Sequence, residues 1–278
     1  MLLHRVVTAL VLLVLILGSL FFTPPWVWGV LSLALMAAGA WEWGLLIGKD
    51  ARAGQLALRI AGVVVLAGLA YLAWRGQTGP ANRWLIALLV ANLLLWIAVA
   101  LPAVLAARLG GAHPAFAALA MFCVWAALYE LRLLHPVLLL SAMAIIWCAD
   151  VGAYFFGRAF GRRKLAPRVS PGKTWEGVAG GVLTAVVAAV LAWWAQPHAP
   201  VLSSQLVEAA GLTVTLVGIV VIVAVSVIGD LYESLLKRSK GVKDSGTLLP
   251  GHGGVLDRID ALIPTMPLCL LLWLILTR

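Results

Sequence analysis

Residues 206–260 read LVEAAGLTVTLVGIVVIVAVSVIGDLYESLLKRSKGVKDSGTLLPGHGGVLDRID. The first part, 206–233, is an apolar run long enough to cross a bilayer's hydrocarbon core as a helix, a span that takes about 20 residues. At Ser234 the composition turns over. From there to Asp260, charged and polar side chains and a Gly-His-Gly-Gly turn are packed between this run and another apolar run, 261–277. A polar cluster this dense between two spans needs water or a charged ligand to solvate it.

The rest of the chain fits that frame. Of 278 residues, 63% are hydrophobic and 11% charged, with a mean hydropathy of +1.05, which excludes a soluble domain of this length. The expected fold is all-α, a polytopic integral membrane protein with about nine transmembrane helices. The runs are 5–22, 26–47, 56–74, 83–107, 114–134, 136–157, 175–195, 206–233 and 261–277. The first follows His4 and Arg5 and has no Ala-x-Ala cleavage site, so it reads as a retained span rather than a signal peptide. Cys123, Cys148 and Cys269 lie inside apolar runs with no CxxC pair, which indicates neither a disulfide framework nor zinc.

Lysine and arginine set the orientation. With nine spans and a cytoplasmic N-terminus, sixteen of the 20 basic residues fall on the cytoplasmic side, and Arg75, Arg83, Arg132 and Arg278 on the other. The polar cluster then faces the cytoplasm, from the cell (inner) membrane. The net charge of +9 orients the protein and meets anionic headgroups, and no feature points to nucleic acid. By polar content, residues 1–134 form a transmembrane scaffold. Residues 135–278 form a catalytic region with polar loops at 158–175 and 234–260. Glu42, between Trp41 and Trp43, is the exception of this half, a candidate for a chemical role, although an interfacial boundary acid is the commoner reading. Trp26, Trp28, Trp74, Trp84, Trp193 and Trp194 read as aromatic belts.

Two loops carry chemistry. Asp150, near the end of the sixth run, is either paired with Arg158 or another loop cation, or a functional intramembrane acid. The loop after it supplies six cations and ends in Ser170-Pro171-Gly172-Lys173-Thr174-Trp175-Glu176-Gly177. Gly172-Lys173-Thr174 is not a Walker A motif, because Pro167 stands where its first glycine belongs. Lys173 reads as an interfacial anchor or as a ligand for substrate phosphate. Further on, Asp230, Ser234 and Lys237 share one helical face at i, i+4 and i+7. Asp257 and Asp260, three apart, share another. Carboxylates held together need a cation between them, and oxygen-only ligands suit magnesium rather than zinc. The glycines of 251–254 let backbone N–H groups face an anion. His252 either orients a phosphate or bonds the turn.

The segment from Ser234 through Leu236, Lys237-Arg238, Lys243-Asp244, Gly246, Leu249-Pro250, His252-Gly253-Gly254-Val255 and Asp257-Arg258-Ile259-Asp260 resembles the signature of phosphatidate cytidylyltransferases (CDP-diacylglycerol synthases). The Ser170–Gly177 stretch resembles a second recurring segment of that family. The resemblance implies transfer of the cytidylyl group of CTP to phosphatidate, giving CDP-diacylglycerol and pyrophosphate in phospholipid biosynthesis. It implies dependence on Mg2+, with K+ as an optional companion, and is compatible with a homodimer. Asp230 and Asp257 would hold the metal, with Asp260 as their partner. Lys237 and Arg238 would act with Asp257 and Asp260 in catalysis, while Lys173, Ser234, Lys243, His252, Gly253, Gly254 and Arg258 would bind substrate. A CTP-dependent lipid kinase, another lipid nucleotidyltransferase or a transporter are the competing readings. The transporter would need polar residues at mid-membrane depth in several spans.

Overall fold

The computed structural model of the chain describes residues 2–49, 52–75, 83–109, 113–196, 198–249, 251 and 253–277, without the side chains of 2–10 and 12. It is a multi-pass helical membrane protein. The helices are α1 (Leu2–Phe22), α2 (Pro25–Ile47), α3 (Ala53–Arg75), α4 (Arg83–Leu95), α5 (Leu101–Ala106), α6 (Pro114–Leu134), α7 (Pro136–Phe160), α8 (Trp175–Ala195), α9 (Leu202–Ser239), α10 (Leu256–Ile259) and α11 (Leu262–Leu276). A π-helical turn, Trp96–Ala100, joins α4 to α5 just before Pro102, which has no N–H to continue the ladder. Among the described residues, eight helices are long and apolar enough to cross a bilayer, with α4–α5 and α10–α11 each counting as one span. The 21-residue α1 adds a further helix.

Sequence explains where the helices start. Proline at the first helical position begins α2, α6 and α7, where a missing N–H costs nothing. His135 both ends α6 and caps α7, its Nδ1 accepting from Val137 N at 3.1 Å, so two spans turn on one residue. The centre of the bundle is α6 and α10–α11, each 72% buried within its span, against 22% for the peripheral α3 and α8. Trp28 is inside this core and gives its indole N–H to Leu128 O at 3.1 Å, so it is not a belt residue. Trp26, Trp74, Trp84 and Trp194 are exposed near helix ends as a belt requires.

Two departures from the sequence expectation shape the site. The loop 158–175 is not irregular: α7 runs on through Phe160, and an antiparallel hairpin of β1 (Lys164–Ala166) and β2 (Ser170–Thr174) follows. Glu176 closes it by accepting from Arg162 N and Arg163 N, while Thr174 caps α8 through Gly177 N at 3.1 Å. The other departure is in α9, which breaks at Gly211 (φ 83°) and then continues unbroken to Ser239. At Gly229, α9 crosses the start of α10–α11 so closely that a Cβ would strike Asp260 O and Pro264. That crossing brings Asp230 beside Asp260.

Candidate active site

A cavity of about 510 Å³ opens between α7, β2, α8 and α9. Asp150, Tyr154 and Arg158 line it from α7, Lys173 from β2, and Ser226 and Asp230 from α9. Lys173 reaches Asp230 Oδ2 at 2.5 Å, and Ser234 Oγ lies 3.5 Å from Asp230 Oδ1. Asp230 lies nine residues before the end of α9, about 14 Å along the helix. The hairpin therefore lowers a lysine onto an acid near the polar end of the apolar run 206–233. Arg158 gives its guanidinium N–H to Tyr154 Oη at 3.1 Å, so of the alternatives for Asp150 the structure does not show the pairing with Arg158, while another loop cation, Lys173, stands within its Coulombic reach. Asp260 stands within Coulombic reach of Asp230, Asp150 and Lys173. Its recorded hydrogen bond is from the neighbouring Ala261 N, at 2.8 Å.

A second polar cluster adjoins the first. Lys237, one helical turn from Glu233, lies 2.6 Å from Glu233 Oε2 and 2.6 Å from Asp257 Oδ1. Asp257 Oδ2 accepts from Ser245 N (2.9 Å), Ser245 Oγ (3.0 Å) and Gly254 N (2.9 Å). The glycine turn, with Gly253 at φ 84°, therefore cradles a carboxylate of the protein itself. Lys237 does not ladder back to Asp230, and Asp257 and Asp260 face different partners although they are three residues apart.

Glu42 of α2 belongs to this cluster, and sequence reasoning missed it. It is 2% exposed and accepts from Ser245 Oγ (2.9 Å), Val255 N (3.1 Å) and Leu256 N (2.8 Å). Gly246 and Gly254 leave no room for a Cβ beside its carboxylate. The boundary reading of Glu42 is corrected: it ties the first helices of the chain to the 245–256 turn. An acid placed inside an apolar run was the available signal.

The remaining candidates lie at the rim. Arg238 bonds Val242 O at 3.3 Å, and Lys240 reaches Gly48 O at the end of α2. Lys243 and Arg258 are exposed, and His252 lies outside the described residues. The three cysteines are free.

For a metal, the donor chemistry is selective. Asp230, Asp260 and Asp150 offer oxygen atoms that are lightly engaged, a set suited to a hard cation such as magnesium. Asp257 is the acid whose oxygens are already occupied. Among the described residues, no group of three or more His, Cys, Asp or Glu is gathered to enclose an ion by itself, so substrate oxygens would have to complete the shell.

Comparison with known proteins gives the same direction. The model of the cytidylyltransferase family matches residues 3–276. The chain is similar to the phosphatidate cytidylyltransferase of Pseudomonas aeruginosa, with 38% identity covering 98% of this chain and 97% of that one. It is 39% identical to that of Haemophilus influenzae over 96% of both chains. With the Bacillus subtilis phosphatidate cytidylyltransferase it shares 45% identity over 45% of this chain and 43% of the other.

Proposed function

The chain belongs to the cytidylyltransferase family, and from that premise we propose how its membrane cavity works. The reaction joins CTP to phosphatidate, giving CDP-diacylglycerol and pyrophosphate, in a multi-pass membrane nucleotidyltransferase. The observation that carries the site assignment is the Lys173–Asp230 pair, held with Asp150 in a cavity inside the spans. A water-soluble nucleotide and a lipid phosphate can both reach such a place.

An oxygen of the phosphatidate monoester forms a bond to the α-phosphorus of CTP. The bond from that phosphorus to the β-phosphate bridge breaks, and pyrophosphate leaves with the electron pair. A phosphomonoester, with a second pKa of about 6, is largely dianionic near neutral pH, so no protein base has to activate it. Lys173 and Arg158 offer the cavity's cationic donors to phosphate oxygens. An arriving phosphate competes with Asp230 for Lys173 and releases an Asp230 oxygen. Asp230 and Asp260 would hold magnesium, which supplies charge neutralisation as the transition state develops. Lys237 and Asp257 hold the 245–257 turn, and through it the start of α10–α11 and Asp260. The sixteen-to-four division of basic residues supports a cytoplasmic opening, where CTP is available.

The test is purified protein with magnesium, phosphatidate and CTP labelled at the α-phosphate. Label should enter the lipid fraction as pyrophosphate is released. Label entering lipid only from the γ-phosphate would identify a lipid kinase, and no label from either position would end the assignment.

A further inference from the structure

A second cavity of about 530 Å³ lies against the adjoining face of α9, next to the polar one. It is walled by Leu101 and Leu105 of α5, Leu165 of the hairpin, Trp175 of α8, and Ile228 and Leu231 of α9. The α9 residues fall into two helical stripes one position apart. Val223, Ser226, Val227 and Asp230 face the polar cavity, and Ala224, Val227, Ile228 and Leu231 face the apolar one. The start of α8 divides in the same way, with Thr174 on the polar side and Trp175 on the apolar side. Val178 and Val227 line both. They form a low apolar ridge between a charged chamber and a greasy one.

Phosphatidate has this division built into it. Its phosphate needs the polar chamber, yet the acids and cations there are poor company for hydrocarbon. Leu105 (77% exposed) and Trp175 (57% exposed) leave the apolar chamber open at its edge, and exposed apolar surface of this kind suits contact with lipid. Among the described residues that line it, Arg168 at the hairpin turn is the charged one, a guanidinium suited to ester or phosphate oxygens. We propose that this cleft takes one acyl chain of the phosphatidate substrate, with the glycerol backbone crossing the Val178–Val227 ridge and the phosphate beside Lys173. The proposal rests on the polar cavity being the transfer site. It assigns chain selectivity to α5, the hairpin and one stripe of α9.

Ala224 lines the cleft and not the polar cavity, so Ala224→Phe fills the first without touching the second. Steady-state kinetics would be measured in detergent with dioleoyl and with dihexanoyl phosphatidate. The variant should raise KM for the dioleoyl lipid about tenfold, equivalent to about 1.4 kcal/mol. The KM for CTP and the kinetics with the dihexanoyl lipid should stay within about twofold, since a short chain leaves most of the cleft unused. Ile228→Ala, which removes wall rather than adding bulk, is the second variant should the first fail to fold. It should raise the dioleoyl KM about threefold, with CTP again unaffected. Equal effects on the two lipids, or none on either, would overturn the acyl-chain assignment while leaving the transfer site standing. If the unmodified protein makes CDP-lipid from neither phosphatidate, the reaction itself is wrong, and this inference falls with it.

Discussion

Two acid clusters lie side by side in this protein, and they differ in how fully the oxygens of their aspartates and of Glu42 are used, while Glu233 keeps the Lys237 ion pair and a buried Oε1 without a hydrogen bond among the described residues. Around Asp257 and Glu42, two carboxylates take Lys237, the Ser245 hydroxyl and the backbone N–H groups of Ser245, Gly254, Val255 and Leu256. Around Asp230, the acid has Lys173 and a hydroxyl at 3.5 Å, while Asp150 faces the cavity and Asp260 bonds its own turn. A buried carboxylate with every lone pair engaged is part of the architecture. One with oxygens to spare has binding capacity left for a ligand. On the function proposed above, the signature segment would do two jobs, Asp257 fastening the turn while Asp260, with Asp230 just before the segment, serves the chemistry.

The sharpest way to break this division is Asp230→Asn. It should lower turnover by about a thousandfold, as loss of a charge at the reacting centre does. Removing one of several crowded acids relieves repulsion, so the unfolding midpoint in detergent should hold or rise. Label transfer from CTP and a thermal melt on the same preparation check both halves. Near-normal turnover would take Asp230 out of the site.

Asp257→Asn should behave differently, losing activity and stability together. Lys237 and Asp257 have side chains only 14% and 7% exposed, and breaking a buried pair by removing one partner costs about 3 kcal/mol. The melt should therefore drop by several degrees. An inactive variant that melts like the parent would move Asp257 into the chemical cluster and unsettle the contrast.

How much of this was legible in the sequence follows from the kind of signal each part leaves. The spans announce themselves by length and apolar content. The end of α9 beyond residue 233 reads instead as the start of a polar loop, and Asp230, Ser234 and Lys237 share a face only if the helix is taken to continue, as it does. The partners did not announce themselves, because a helical face says which side chains point the same way and not what meets them. Lys237 was free on paper to pair with Asp230, yet the hairpin brought in Lys173 first. The hairpin itself was hidden in a loop of six cations, three of them within 164–174, which read as a phosphate-facing loop with no sign of strand pairing, and Glu176 closes its base. Glu42 was the least legible. Its partners are more than 200 positions away in the chain, and its neighbouring tryptophans suggested an interface.

Glu42→Ala gives that missed residue a middle rank. Two backbone N–H groups would lose their acceptor inside the bundle, while the Ser245 hydroxyl would keep Asp257 Oδ2, at a cost of about 2 kcal/mol. The fraction that remains folded should still transfer label at a rate within about fivefold of the parent, because no oxygen of Glu42 faces the polar cavity. A stable but inactive Glu42→Ala protein would show that the fastening cluster also tunes the reaction.

The smallest effect should come from Lys243→Ala. Lys243 is exposed on the loop after α9 and has no ion pair recorded among the described residues. Its contribution is then long-range attraction for CTP, and exposed charges more than about 8 Å from their target are largely screened at physiological ionic strength. Turnover at saturating CTP should be unchanged, with KM for CTP raised about threefold in low salt and the difference gone at high salt. Stability should stay within about 0.5 kcal/mol of the parent. A salt-independent loss of turnover would mean that Lys243 contacts the triphosphate directly. The loop would then have to fold over the polar cavity during the reaction, and the open chamber between Lys173 and Asp150 would be one half of a site completed by the ligand.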